Sequence, residues 1–185
     1  MTDPAPRGLR LFFALWPTHS QRQALAELTA TAIAPIRGKA VPPGNLHVTL
    51  AFLGAVPGPA FVRLVEIGGR GGDPAVQLAF SRIEYWAKPR VVVALAARVP
   101  QAGLRIVERL WGELTPLGFE CEHRPWHPHL TLVRRVREPP PPSFGPTLPA
   151  KAAAAAAGGW GLALVESSTH SEGVRYRPLA EWPLG

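Results

Sequence analysis

Two histidines in this chain stand in the same local setting. His47-Val48-Thr49-Leu50 and His129-Leu130-Thr131-Leu132 repeat one His-x-Thr-Leu unit 82 residues apart. In a β-strand, residues i and i+2 project from one face, about 6.6–6.8 Å apart. Each unit therefore pairs an imidazole with a hydroxyl on one side and turns its two apolar residues to the other. A polar pair on an otherwise core-forming strand costs stability unless it is used. The plain alternative is two half-buried histidines whose threonines satisfy neighbouring groups. The repetition argues against it, because only six histidines occur in 185 residues.

Matched imidazoles suit in-line displacement at phosphorus. One takes a proton from water while the other gives one to the departing oxygen. An unperturbed pKa of about 6.5 fits histidine to both tasks, and each positioned acid or base is typically worth about 10²–10⁴ in rate. The hydroxyls of Thr49 and Thr131 can hold the non-bridging oxygens, and a cation would stabilise charge in the transition state. Arg134 and Arg135 are the candidates for that cation. In a regular strand Arg135 shares the face of His129 and Arg134 does not; Arg134 reaches the phosphate only if the strand ends or bulges nearby. Periodicity alone does not choose between them.

Other residues invite competing readings. Cys121, His123, His127 and His129 offer enough atoms for a zinc site, but Pro125 and Pro128 stiffen the segment and the first tetrapeptide is left unexplained, so no metal is expected. Among six tryptophans, Trp126 lies between prolines near His129 and is the candidate for stacking on a base. Phe52, just after the first tetrapeptide, is a second such candidate. Trp16, Trp86, Trp111, Trp160 and Trp182 sit within apolar segments and read as core.

The elements that must position these groups follow from periodicity and breakers. Strands are expected at Leu9 to Trp16, Leu46 to Leu53, Val76 to Trp86, Val91 to Ala97, Leu130 to Val133, Trp160 to Val165 and Val174 to Leu179. Helices are expected from Thr18 or Ser20 to Pro35, at Pro59 to Glu66 and at Gln101 to Leu117. Glu138 to Gly159 carries four consecutive prolines and an Ala run, and reads as a variable surface connection, with one or two helical turns at Ala152 to Ala157. Helices are interspersed without a strict βαβ rhythm or a Gly-rich phosphate loop, which favours α+β with antiparallel sheets.

Composition sets the frame. The chain suits one domain, or a compact unit of two lobes. A formal charge of +7 permits polyanionic partners. One cysteine excludes an intrachain disulfide and fits a reducing cytoplasm. No apolar run is long enough to span a bilayer or serve as a secretory signal, so no membrane partner is expected.

The residues together resemble the 2H phosphoesterase superfamily, and within it the RNA 2′,3′-cyclic phosphodiesterases also described as 2′-5′ RNA ligase-like. The matching stretches are Leu9 to Leu15, Asn45 to Gly54, Pro128 to Arg134 and Tyr176 to Leu184. The resemblance implies a bilobal fold of two antiparallel β-sheets with helices packed outside, related by a pseudo-twofold duplication around a central cleft. It implies His47 as proton donor, His129 as proton acceptor, and Thr49, Thr131 and Arg134 as phosphate ligands. It further implies opening of a 2′,3′-cyclic phosphate to a 2′-phosphate without metal, on an RNA end or a small cyclic nucleotide; no cofactor is expected, and the chain is expected to be a monomer. The reverse reaction would join RNA ends through a 2′-5′ linkage. A related enzyme acting on another cyclic phosphate or on 2′-5′ oligonucleotides would keep the four motif residues. A non-catalytic RNA-end-binding module would need only the basic surface. Residues 138–159 match no family motif.

Overall fold

The structure, a computed structural model, describes residues 8–121, 124–148, 159–171 and 173–185. β1 (Leu9–Trp16) leads into α1 (His19–Ile33), the two-residue β2 (Lys39–Ala40) and β3 (Val48–Val56). Then come α2 (Ala60–Gly68), β4 (Phe80–Trp86), β5 (Val91–Ala96), α3 (Gln101–Leu114), β6 (His129–Arg134), β7 (Gly161–His170) and β8 (Gly173–Trp182). The strands form two four-stranded sheets, ordered β3-β1-β7-β8 and β2-β6-β5-β4. All named pairings are antiparallel. The α+β architecture expected from the sequence is the one observed.

β1 lies between β3 and β7, which explains its unbroken apolar run. Leu11, Phe13 and Leu15 enter the main core, while Phe12, Ala14 and Trp16 join Ala163 and Val165 in a small cluster on the opposite face. A strand buried on both faces loses the usual polar alternation. The main core is shared: Leu25 of α1, Leu64 and Ile67 of α2 and Ile106, Leu110 and Leu114 of α3 pack with apolar residues of both sheets. α1 begins with a reciprocal cap, Thr18 Oγ1 accepting from Gln21 N and Gln21 Oε1 accepting from Thr18 N, so the sequence cue for its start was sound. α3 gives way at Thr115–Leu117 to a 3₁₀ turn containing Pro116, because proline cannot continue the hydrogen-bond ladder.

Three expectations shift. Val76 and Leu78 are buried as their alternation implied, yet pairing starts only at Phe80, opposite Ala96. β2 was not expected; two residues carry no periodic signal, and it exists because Lys39 and Ala40 lie opposite Arg134 and Val133. Part of the expected surface connection is docked: Ile83 N donates to Pro146 O, Leu148 N donates to Ser81 O, and Leu148 is buried. This segment covers the free edge of β4, a position where unpaired backbone groups otherwise invite association. The helical turns expected at Ala152 to Ala157 lie outside the described residues. Among the described residues no helix is long and apolar enough to cross a membrane.

Candidate active site

Each sheet carries one His-x-Thr-Leu unit, and both units break regular pairing at the same residue. On β3, Thr49 lies opposite Ala14 and Ala51 opposite Phe13, so Leu50 is an extra residue. On β6, Thr131 lies opposite Val93 and Val133 opposite Val92, so Leu132 is the extra one. Each bulge sends two consecutive residues into the core, Leu50 with Ala51 and Leu132 with Val133. Alternation then resumes with inverted parity. Arg134 returns to the face of His129 and Thr131, and Phe52 returns to the face of Thr49. The parity that favoured Arg135 therefore does not hold: Arg135 lies beyond the strand end, exposed, with a left-handed φ of 52°.

The imidazoles are fixed by matching bonds. His47, one residue before β3 rather than inside it, has Nδ1 2.7 Å from Asn45 O. His129 has Nδ1 2.7 Å from His127 O. A carbonyl only accepts, so each neutral ring carries its proton on Nδ1 and has its acceptor lone pair on Nε2. Asn45 is itself clamped to β8: its Nδ2 donates to Val174 O at 2.9 Å, and its Oδ1 accepts from Tyr176 N at 3.3 Å. Trp126, three residues before the second motif, reaches the first, its Nε1 donating to Thr49 O at 2.9 Å. Its ring lies so close to α3 that a Cβ on Gly103 would fall 2.5 Å from it.

Burial depresses the His47 imidazolium, which is 8% exposed, to a pKa of about 4. The Asn45 carbonyl offsets part of this, and the charges of Arg134 and His129 add to the depression. Groups from the two sheets thus act on one another's charge. Aromatic rings close the site. Phe12 and Tyr176 stand 4.8 and 4.9 Å from the His47 ring centroid, Trp16 stacks at 6.0 Å, and Trp86 lies 4.6 Å from His129. Arg134 Nη2 donates to Tyr176 Oη at 3.3 Å.

The structure therefore gathers His47, His129 and Arg134 into one electrostatic neighbourhood, with Thr49 and Thr131 on the strands that carry them. Trp126 is half-buried, bonded to Thr49 O and packed against Gly103 of α3. Phe52 is exposed further along β3, with the Arg10 guanidinium 4.8 Å over its ring. Asn45, Tyr176 and Trp86 have site positions that sequence reading did not assign. Asn45 had a local signal, an amide two residues before a motif histidine. Trp86 and Tyr176 had none, since their proximity depends on sheet register. Among the described residues, no group of three or more His, Cys, Asp or Glu is arranged to hold a metal; His123 lies outside them, and Cys121 is exposed.

Residues 15–93 match the family model described as LigT like Phosphoesterase. The chain is 31% identical over 183 residues to the RNA 2′,3′-cyclic phosphodiesterase of Escherichia coli (strain K12), covering 95% of this chain and 96% of that one. It is 32% identical to the protein of the same name from Thermus thermophilus, covering 95% and 90% of the two chains. This chain belongs to the LigT-like phosphoesterase family. The crystal structure of E. coli LigT complexed with 3′-AMP superposes with a TM-score of 0.75 at 30% identity, covering 95% of this chain and 98% of that one.

The buried imidazole makes this LigT-like phosphoesterase acid-sensitive. Unfolded, His47 titrates near 6.5; folded, it titrates at about 4. Between those values the unfolded chain binds a proton that the folded chain refuses, so this part of the stability is complete above pH 6.5 and falls as pH drops toward 4. The loss amounts to about 3 kcal/mol. Urea unfolding at pH 7 and pH 4 should therefore show a smaller acid-induced loss in His47→Gln than in the unsubstituted protein, by about this amount. Equal losses in both proteins would contradict the assignment.

Proposed function

We propose that this chain hydrolyses a 2′,3′-cyclic phosphate at an RNA end, or on a small nucleotide, to a 2′-phosphate by general acid–base catalysis without metal. The observation that carries the reading is the duplicated strand: two His-x-Thr-Leu units with the same bulge, each imidazole tied through Nδ1 to the carbonyl two residues earlier. The names of the E. coli and T. thermophilus relatives support the substrate class.

In this mechanism His129 Nε2 removes a proton from water as the water oxygen bonds to phosphorus, opposite the ribose O3′. The P–O3′ bond breaks and His47 Nε2 delivers a proton to O3′. Phosphate stays on O2′. Thr49 and Thr131 hydroxyls donate to the non-bridging oxygens, and Arg134 stabilises the charge that accumulates there. The donor role requires protonated His47, although burial keeps it neutral in the free protein at pH 7. A bound phosphodiester is an anion; its charge offsets that of Arg134 and draws a proton onto the imidazole. An imidazolium so weakly held is also a strong acid toward the leaving oxygen. Run in reverse, the same proton transfers would form a 2′-5′ linkage.

The test is turnover of a nucleoside 2′,3′-cyclic phosphate in excess EDTA, with the product resolved as 2′- or 3′-phosphate. Full activity and a 2′-phosphate are expected. Loss of activity on chelation would replace the mechanism by a metal-assisted one, and a 3′-phosphate would mean that O2′ departs. Binding without turnover would leave only an end-binding module.

A further inference from the structure

We infer that Tyr176 is a positioning residue of the active site, holding the phosphate-binding Arg134 through its hydroxyl and walling His47 from water with its ring. The inference rests on the function proposed above and adds a residue that neither tetrapeptide contains.

Tyr176 lies on β8, the edge strand of the first sheet, opposite Ser167 of β7. Its hydroxyl accepts from Arg134 Nη2 at 3.3 Å, reaching a residue of the other sheet. Its ring meets His47 edge-on at 4.9 Å and Phe12 edge-on at 5.2 Å. Its backbone N–H donates to the Asn45 side chain, whose residue supplies the carbonyl that orients His47. One residue therefore touches the cation from one lobe, the imidazole from the other, and the loop that sets the imidazole's tautomer.

The two halves of the side chain have separable tasks. Without the hydroxyl, the guanidinium loses an acceptor that limits its orientations before phosphate arrives. Without the ring, water gains access to His47, and desolvation is the largest cause of that imidazole's reluctance to ionise. The charged and titratable groups facing His47 are Arg134 and His129 from β6 and the Tyr176 phenol from β8; Phe12 and Trp16 of β1 contribute only apolar surface. Phenylalanine and leucine at this position both lose the hydroxyl that meets Arg134, so the difference between their His47 titrations reports the ring.

Tyr176→Phe is expected to lower kcat/KM for a nucleoside 2′,3′-cyclic phosphate by roughly three- to tenfold, mainly through KM. The Phe variant keeps the ring and should leave the His47 titration, followed by NMR of the ring, in place. In an Arg134→Ala background the same substitution should have no further effect. Tyr176→Leu should move the His47 titration from about 4 upward toward its ordinary value. Equal losses from Tyr176→Phe with and without Arg134 would overturn the hydroxyl role. An unmoved His47 titration in a folded Leu variant would overturn the shielding role. Should the Leu variant not fold, the phenylalanine cycle still decides the contact with Arg134. Should the parent protein not turn over cyclic phosphates, the proposed function fails on its own account. The cycle is then read from inorganic phosphate binding, and the His47 titration needs no turnover.

Discussion

His47→Ala and His129→Ala are each expected to lower kcat on a nucleoside 2′,3′-cyclic phosphate by about 10²–10⁴. The double variant should fall little below the worse single one, because attack and departure belong to one in-line event and the two groups act as a unit. A substrate whose leaving group is a nitrophenolate separates their roles. That leaving group needs no proton, so it should recover much of the loss in His47→Ala and none of the loss in His129→Ala. Recovery in the opposite variant would exchange acid and base. Activity near that of the parent in either alanine variant would remove the mechanism. The prediction is sharp because both rings are pre-oriented: each is held through Nδ1 at 2.7 Å by a carbonyl two residues earlier, so an introduced water has no comparable anchor.

The second large effect is expected at Arg134. Arg134→Ala should cost about 10²–10³ in kcat/KM, the usual range for removing one donor aimed at developing transition-state charge. Lysine should restore only part, since a point charge does not reproduce the planar fork that meets Tyr176 and, in the proposed mechanism, a phosphate. Arg135→Ala, at an exposed position past the end of β6, should stay within about twofold of the parent. Steady-state kinetics on all three variants make the comparison, and a dominant effect at Arg135 would refute the assignment. This pair is informative because strand parity pointed the other way. Only the bulge at Leu132, which buries Leu132 and Val133 in succession, turns Arg134 back to the side of His129.

Much of the fold was legible because its signals are local. The apolar run of β1, the Thr18 cap of α1 and the recurrence of Leu110 and Leu114 in α3 each report burial or chain reversal within a few residues. Trp86 shows where such signals end. Its apolar neighbours made it look like core, yet it is half-buried and packs on His129, a contact created by pairing β4 to β5 and β5 to β6. β2 was invisible for a related reason: a two-residue strand is defined by its partner rather than by its own pattern.

The sequence by itself determined which groups are available for chemistry: two identical His-x-Thr-Leu units, a basic pair after the second, and strands to bear them. Tertiary structure decided which way those groups face and what surrounds them. Two matched bulges set the side of Arg134, the Asn45 clamp on β8 set the ring of His47, and Tyr176 joined one lobe's imidazole to the other's cation. The physical reason is range. Periodicity records what a residue needs from its nearest turns, whereas register and proton affinity depend on strands brought together from distant parts of the chain.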